Sequence, residues 1–159
     1  MIKVLFVCHG NICRSPMAEF IFKKITEDAG VSDQFMIASA AVSTEEIYRG
    51  VGDPVYPGAR EELARHGISC AGKRAVLLMR EDYDRYDLLI GMDASNIRAM
   101  HRILGGDPQG KIRKLMEYTE RGGDVADPWY SDRFDIAWRD ISDGCRGLFD
   151  AVRQETYTR

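Results

Sequence analysis

A nearly continuous apolar run from Lys3 to Cys8 ends at Cys8-His9-Gly10-Asn11, and Ser15-Pro16 follows a few residues later. An unbroken apolar run, rather than an alternating one, is the pattern of a strand buried on both faces. Ser at an N-cap and Pro at the first helical position open helices, so Ser15-Pro16 predicts one. Met17, Phe20, Ile21 and Ile25 lie on its buried face and Gly30 ends it. Strand, tight loop and helix then recur. Phe35–Ala40 is a second strand, 43–58 a loop, and Ala59–His66 a short helix stopped by Gly67. Asp87–Gly91 is a third strand, followed by a helix from about Ala94 to Leu104 and a weaker strand over Lys111–Met116. Beyond Asp127-Pro128, Phe134, Ala137, Ile141, Cys145, Leu148, Phe149 and Val152 form a helical stripe. This alternation predicts an α/β fold with a parallel sheet and right-handed crossovers. Working sites in such sheets lie beyond the carboxyl ends of the strands, so the turn after Val7 is the first place to look.

Composition narrows the function classes. The 159 residues are expected to form a single domain, 1–159, with enough core to need no disulfide or metal. A net charge of −3 argues against a nucleic-acid binder that relies on bulk positive charge. The apolar start is too short for a signal-peptide core or a membrane span. Four cysteines, Cys8, Cys13, Cys70 and Cys145, in such a chain fit a reduced, cytoplasmic compartment. No two are spaced as Cys-x-x-Cys, so a structural metal is not expected.

The turn itself is Cys8-His9-Gly10-Asn11-Ile12-Cys13-Arg14-Ser15-Pro16. Gly10 and Asn11 tolerate positive φ, which lets the loop curl until successive backbone N–H groups face one point. Such a cradle, backed by a helix N-terminus, binds an anion. Arg14 adds a planar fork matched to two phosphate oxygens. A thiol at the centre of a cradle like this is drawn toward its thiolate, the form that attacks phosphorus. Ser15 is equally a cap hydroxyl or a donor to that thiolate. His9 contributes a backbone N–H while its ring points elsewhere.

Transfer of phosphate from an aryl or alkyl oxygen calls for an acid to protonate the leaving group. Asp127 stands out among the 25 acids because it sits in Val125-Ala126-Asp127-Pro128-Trp129-Tyr130. Pro128 stiffens its backbone, and Trp129 and Tyr130 are suited to wall a slot for a planar group. On the residues alone Asp127 is equally a turn starter, with the aromatics capping the core. Asp82, Asp84 and Asp93 lie in polar stretches and read as solvated or helix-starting.

Together, Val7 to Pro16 and Asp127-Pro128-Trp129-Tyr130 resemble the low-molecular-weight protein tyrosine phosphatases, and the likeness extends through Ser39-Ala40, His66-Gly67-Ile68 and Met92-Asp93. The resemblance implies a flavodoxin-like fold with a four-stranded parallel sheet, no cofactor and no metal. It makes Cys8 the nucleophile, Arg14 the phosphate clamp and Asp127 the general acid. The loop His9, Gly10, Asn11, Ile12, Cys13 and Ser15 would hold the phosphate. Asn11 would keep the loop's strained conformation with Ser39 as hydrogen-bond partner, and Ser15 would donate to the thiolate. Trp129 and Tyr130 would line the aromatic slot. The implied partners are phosphotyrosine-containing proteins, a cognate tyrosine kinase among them, for a monomer or weak dimer acting without nucleic acid or membrane.

The chain also departs from the family. His9 stands where many members carry Leu or Thr. The loop after Ser39 lacks the Trp that some members use to grip the substrate ring, leaving Tyr48 as its candidate replacement. The basic pattern around Lys73-Arg74-Ala75 is only approximately kept. Phosphoarginine phosphatases on the same scaffold carry Thr where this chain has Ile12. Thioredoxin-coupled arsenate reductases need a further cysteine pair, whereas Cys70 and Cys145 are far apart in sequence. A non-catalytic phospholigand-binding module would require neither Cys8 nor Asp127. Thiol chemistry and the resemblance together also make Cys8 and Cys13 a candidate redox pair.

Overall fold

The computed structural model describes residues 1–157, so the last two residues of the expected domain lie outside the described residues. Strand β1 (Ile2–Cys8) is paired in parallel with β2 (Phe35–Ala41) on one side and β5 (Leu88–Gly91) on the other, and β6 (Ile112–Lys114) extends the sheet in parallel beyond β5. The order β2-β1-β5-β6 is the expected four-stranded parallel sheet of an α/β, flavodoxin-like fold. The chain leaves β1 first to one side and later returns on the other. The crevice at the carboxyl end of β1 is therefore the topological switch point.

Burial along β1 explains its unbroken apolar sequence. Val4, Phe6 and Cys8 join the core shared with α1 (Arg14–Asp28) and α6 (Phe134–Tyr157), while Leu5 and Val7 join Met100 and Leu104 of α4 (Ala94–Leu104). At the centre of the first core, the Phe22 ring meets Phe6, Phe35 and Phe149 edge-on at 5.5–6.3 Å between centroids. Burying such a ring contributes about 1.5–3 kcal/mol. Phe20, expected on this face, is only partly buried, and Phe22 takes the central place.

Four local expectations are corrected. Helix α1 begins at Arg14 with Cys13 at the N-cap, so Ser15 is not the cap; Pro16 falls at the third position, where its missing N–H is still harmless. The 43–58 segment is not all loop, because β3 (Ile47–Tyr48) and β4 (Val51–Gly52) form an antiparallel hairpin. Its two turn residues, Arg49 and Gly50, have φ of 49° and 77°, which matches the twist that tight hairpins need. The fourth sheet strand stops at Lys114, and Leu115–Tyr118 tightens into a 3-10 turn against α6. Helix α2 spans Pro57–Arg65 rather than Ala59–His66, and the short α3 (Asp82–Arg85) was unforeseen as an element; Asp82 does start a helix, but it is buried rather than solvated and accepts from the Met79 N–H at 2.8 Å.

Candidate active site

The loop after β1 is held from outside by its carbonyls. Those of Cys8, His9, Ile12 and Cys13 accept from the N–H groups of Val42, Ser43, Tyr56 and Met17 at 2.9–3.1 Å. The backbone N–H groups from His9 to Arg14, by contrast, have no protein acceptor among the described residues. Unpaired donors on consecutive residues at a helix N-terminus make an anion cradle. Asn11 enables the curl. Its φ is 59°, its amide donates to Ser15 Oγ at 2.7 Å, and its carbonyl oxygen accepts from Val76 N–H at 3.1 Å.

Cys8 Sγ lies 3.0 Å from Ser15 Oγ and accepts from the Ser15 N–H at 3.4 Å. Because Ser15 Oγ already accepts from the Asn11 amide, its own hydrogen is left to point at the sulfur, so the expected contact exists even though Ser15 is not the cap. Arg14 is 3% exposed and anchored on one nitrogen, which donates to Asp93 Oδ2 at 2.7 Å and to the Val125 carbonyl at 2.8 Å. Its other terminal nitrogen lies 3.5 Å from Asp127 Oδ2. Burial alone would lower the Arg14 pKa, but Cys8, Asp93 and Asp127 more than offset it and leave the guanidinium firmly charged.

Asp127 caps α5 (Pro128–Ser131) by accepting from Trp129 N–H at 3.0 Å, so the turn-starting and site-lining readings both hold. A cavity of about 340 Å³ brings together Cys8, His9, Gly10, Ile12, Cys13, Arg14, Asp127, Trp129 and Tyr130. Glu45 and Glu46 complete its rim. The Trp129 ring leans on Tyr56 at 5.0 Å, and Tyr56 in turn stacks on Phe134.

A family model for the low molecular weight phosphotyrosine protein phosphatase matches residues 3–158. The chain belongs to this family. It is 38% identical to the low molecular weight protein-tyrosine-phosphatase YfkJ of Bacillus subtilis, over 98% of each chain. With the low molecular weight phosphotyrosine protein phosphatase of Sus scrofa it shares 36% identity, over 95% of this chain and 96% of that one. The crystal structure of YfkJ superposes with a TM-score of 0.91, at 37% identity, over 98% of this chain and 96% of that one.

Within this phosphatase-family chain two expected placements fail. Ser39 does not bond Asn11. Its hydroxyl donates to Glu19 Oε1 at 2.6 Å, because the buried Glu19 carboxylate, also paired with Lys23 at 2.6 Å, is the stronger acceptor nearby. Lys73 closes that cluster by donating to the Ser39 carbonyl at 3.0 Å, and burial lowers its pKa against the pull of Glu19. Tyr48 is not in the cavity lining. It is 72% exposed on the β3–β4 hairpin, with the Arg49 guanidinium over its ring. The His9 ring points outward to Glu45 at 3.0 Å, as the sequence suggested.

Asp93 starts a helix, as one of its two sequence readings had it, but sequence reasoning missed its hold on Arg14. It caps α4, accepting from Asn96 N–H at 2.8 Å, while its other oxygen holds Arg14. The available signal was position, since Asp93 follows the carboxyl end of the strand beside β1. Among the described residues no group of three His, Cys, Asp or Glu is placed to hold a metal, and no helix is long and apolar enough to cross a membrane.

Proposed function

We propose that this chain, acting as one domain, hydrolyses phosphotyrosine in proteins through a cysteinyl-phosphate. Cys8 Sγ attacks phosphorus in line as the aryl P–O bond breaks, and Asp127 gives its proton to the departing phenolate. Water then attacks the thiophosphate, with Asp127 now accepting the proton, and phosphate and the Cys8 thiolate are released. Arg14 and the loop N–H groups stabilise the equatorial oxygens through both steps. The observation that carries the reading is the single cavity uniting Cys8 Sγ, bonded to Ser15, with the anchored Arg14 fork and Asp127 3.5 Å from it.

Trp129 and Tyr130 at the mouth suit a planar phenyl group, and the buried, apolar Ile12 offers no hydroxyl to a guanidinium, which favours phosphotyrosine over phosphoarginine. Cys145 is fully buried in α6, its thiol turned to the Ala18 carbonyl at 3.7 Å, and Cys70 lines another cavity. Neither arrangement supports an arsenate-reducing relay. The reading extends to a cytoplasmic enzyme, monomeric or weakly dimeric, opposing a cognate tyrosine kinase.

The test is turnover on phosphotyrosine, phosphoserine and phosphoarginine peptides, with arsenate reduction in parallel. Phosphotyrosine should dominate. Cys8→Ser should abolish turnover yet bind phosphate. Asp127→Asn should lose about 10²–10⁴-fold on substrates with poor leaving groups and far less on activated aryl phosphates. A uniform loss across the leaving-group series would remove Asp127 from the acid role.

A further inference from the structure

A second groove, of about 600 Å³, adjoins the catalytic cavity, and His9 lines both. Its apolar lining includes Leu77, Leu78 and Ile103, and Arg98 and Arg102 of α4 also border it. The two arginines are one helical turn apart, which places them on the same face. Both are exposed, and neither has an ion-pair partner among the described residues. Three other surface arginines, Arg113, Arg121 and Arg133, each lie 2.9–3.9 Å from a carboxylate; exposed Arg60 and Arg80 have no such partner among the described residues either, but neither lines a cavity that shares a residue with the catalytic one. No carboxylate lines the groove, whereas Glu45 and Glu46 stand on the rim of the catalytic cavity. The His9–Glu45 pair marks the boundary between these two fields.

We infer that the α4 groove is a specificity subsite, in which Arg98 and Arg102 take the carboxylate of an Asp or Glu within a few residues of the phosphotyrosine. This rests on the phosphotyrosine reading above and adds a direction to it. An extended peptide advances about 3.3–3.6 Å per residue, so a neighbouring cavity is within reach of a near flank. An acidic flank laid toward Glu45 and Glu46 is repelled, while one laid over α4 meets two free cations, so charge selects the orientation. The apolar floor accommodates the methylene stem of the same side chain.

The experiment compares kcat/KM on phosphotyrosine peptides that carry a single Glu, Gln or Lys at each of the three positions on either side. Every rate is normalised to the same protein's rate on a small aryl phosphate, which is too short to span both cavities. In the unmodified protein Glu is expected to exceed Lys by about three- to tenfold at one flank, through KM, and the advantage should shrink with salt. Arg98→Ala/Arg102→Ala should flatten the ratio, and Arg98→Glu/Arg102→Glu should invert it. Equal ratios in all three proteins would overturn the subsite while leaving the phosphatase reading intact. Failure of the unmodified protein on both the aryl phosphate and every phosphotyrosine peptide would overturn the phosphatase reading, and the subsite with it.

Discussion

Asn11 combines two demands that few side chains meet together: a φ of 59°, and an amide that ties Ser15 to the backbone of Val76. Gly would relax the backbone and lose both bonds; Ala would lose them and add strain. Cys13, two residues on, is the α1 N-cap without a side-chain cap bond, and it lines the same cavity as Cys8. Burial, reinforced by Cys8, pushes the Cys13 thiol well above its ordinary pKa. It therefore waits as a thiol and reacts slowly. If peroxide converts Cys8 to the sulfenic acid, the Cys13 sulfur displaces hydroxide from it, forming the disulfide, and the thiol proton leaves with that hydroxide as water. After peroxide and then a thiol reductant, the unmodified protein is expected to recover most of its activity and Cys13→Ser much less, with a Cys8–Cys13 disulfide detected by mass spectrometry. Equal recovery in both proteins would exclude Cys13 as a resolving thiol.

Among the elements, strands buried on both faces and helices with punctuated ends were the legible ones: β1, β5 and α4 lie where apolar runs and Asp93 predict, and α2 stops before Gly67 as expected but starts at Pro57, two residues ahead of the expected Ala59. The β3–β4 hairpin was not, because Arg-Gly is an unusual pair for its turn and two-residue strands carry no periodicity. That hairpin holds Tyr48 away from the cavity and leaves Glu46, just before it, on the rim. Glu46 is held above the ordinary carboxylate range by its hydrogen bond with Asp53, with burial and the Asp53 charge adding to the effect. A carboxyl whose folded pKa is raised contributes stability below its unfolded value of about 4.3, and that contribution is lost as pH rises through the folded value. Glu46→Gln keeps a neutral donor at every pH. Its melting temperature should match the unmodified protein near pH 3.5 and exceed it at pH 7.5, by about 1–2 °C because the group is partly solvated. The same difference at both pH values would dissociate Glu46 from the effect.

At the scale of the molecule, the site depends on packing that no local pattern reveals. Cys8 and Arg14 were readable from the residues themselves, whereas Asp127 became the acid rather than a turn starter only with the family resemblance beside it. The anchors of Arg14 were not readable, because Asp93 and the Val125 carbonyl are 79 and 111 residues away along the chain and meet it only once the sheet is assembled. The stripe of α6 was readable from its helical periodicity, yet the sequence does not show how closely α6 approaches the Leu115–Tyr118 turn. Two glycines set that approach. A Cβ on Gly144 would stand 2.5 Å from Leu115 Cγ, and one on Gly147 would overlap the Tyr118 carbonyl oxygen. Helix propensity alone makes Gly147→Ala favourable by about 1 kcal/mol. Overpacking against a backbone carbonyl costs about 1–3 kcal/mol or more, because the carbonyl cannot turn aside as a side chain can. The collision should win, so Gly147→Ala is expected to lower the urea midpoint and to reduce the melting temperature by several degrees. Arg146→Ala, on the exposed side of the same turn, should stay within about 0.5 kcal/mol of the unmodified protein. If Gly147→Ala instead stabilises the protein, α6 is free to move off the Leu115–Tyr118 turn, and the close approach assigned to these glycines is not what holds the last helix in place.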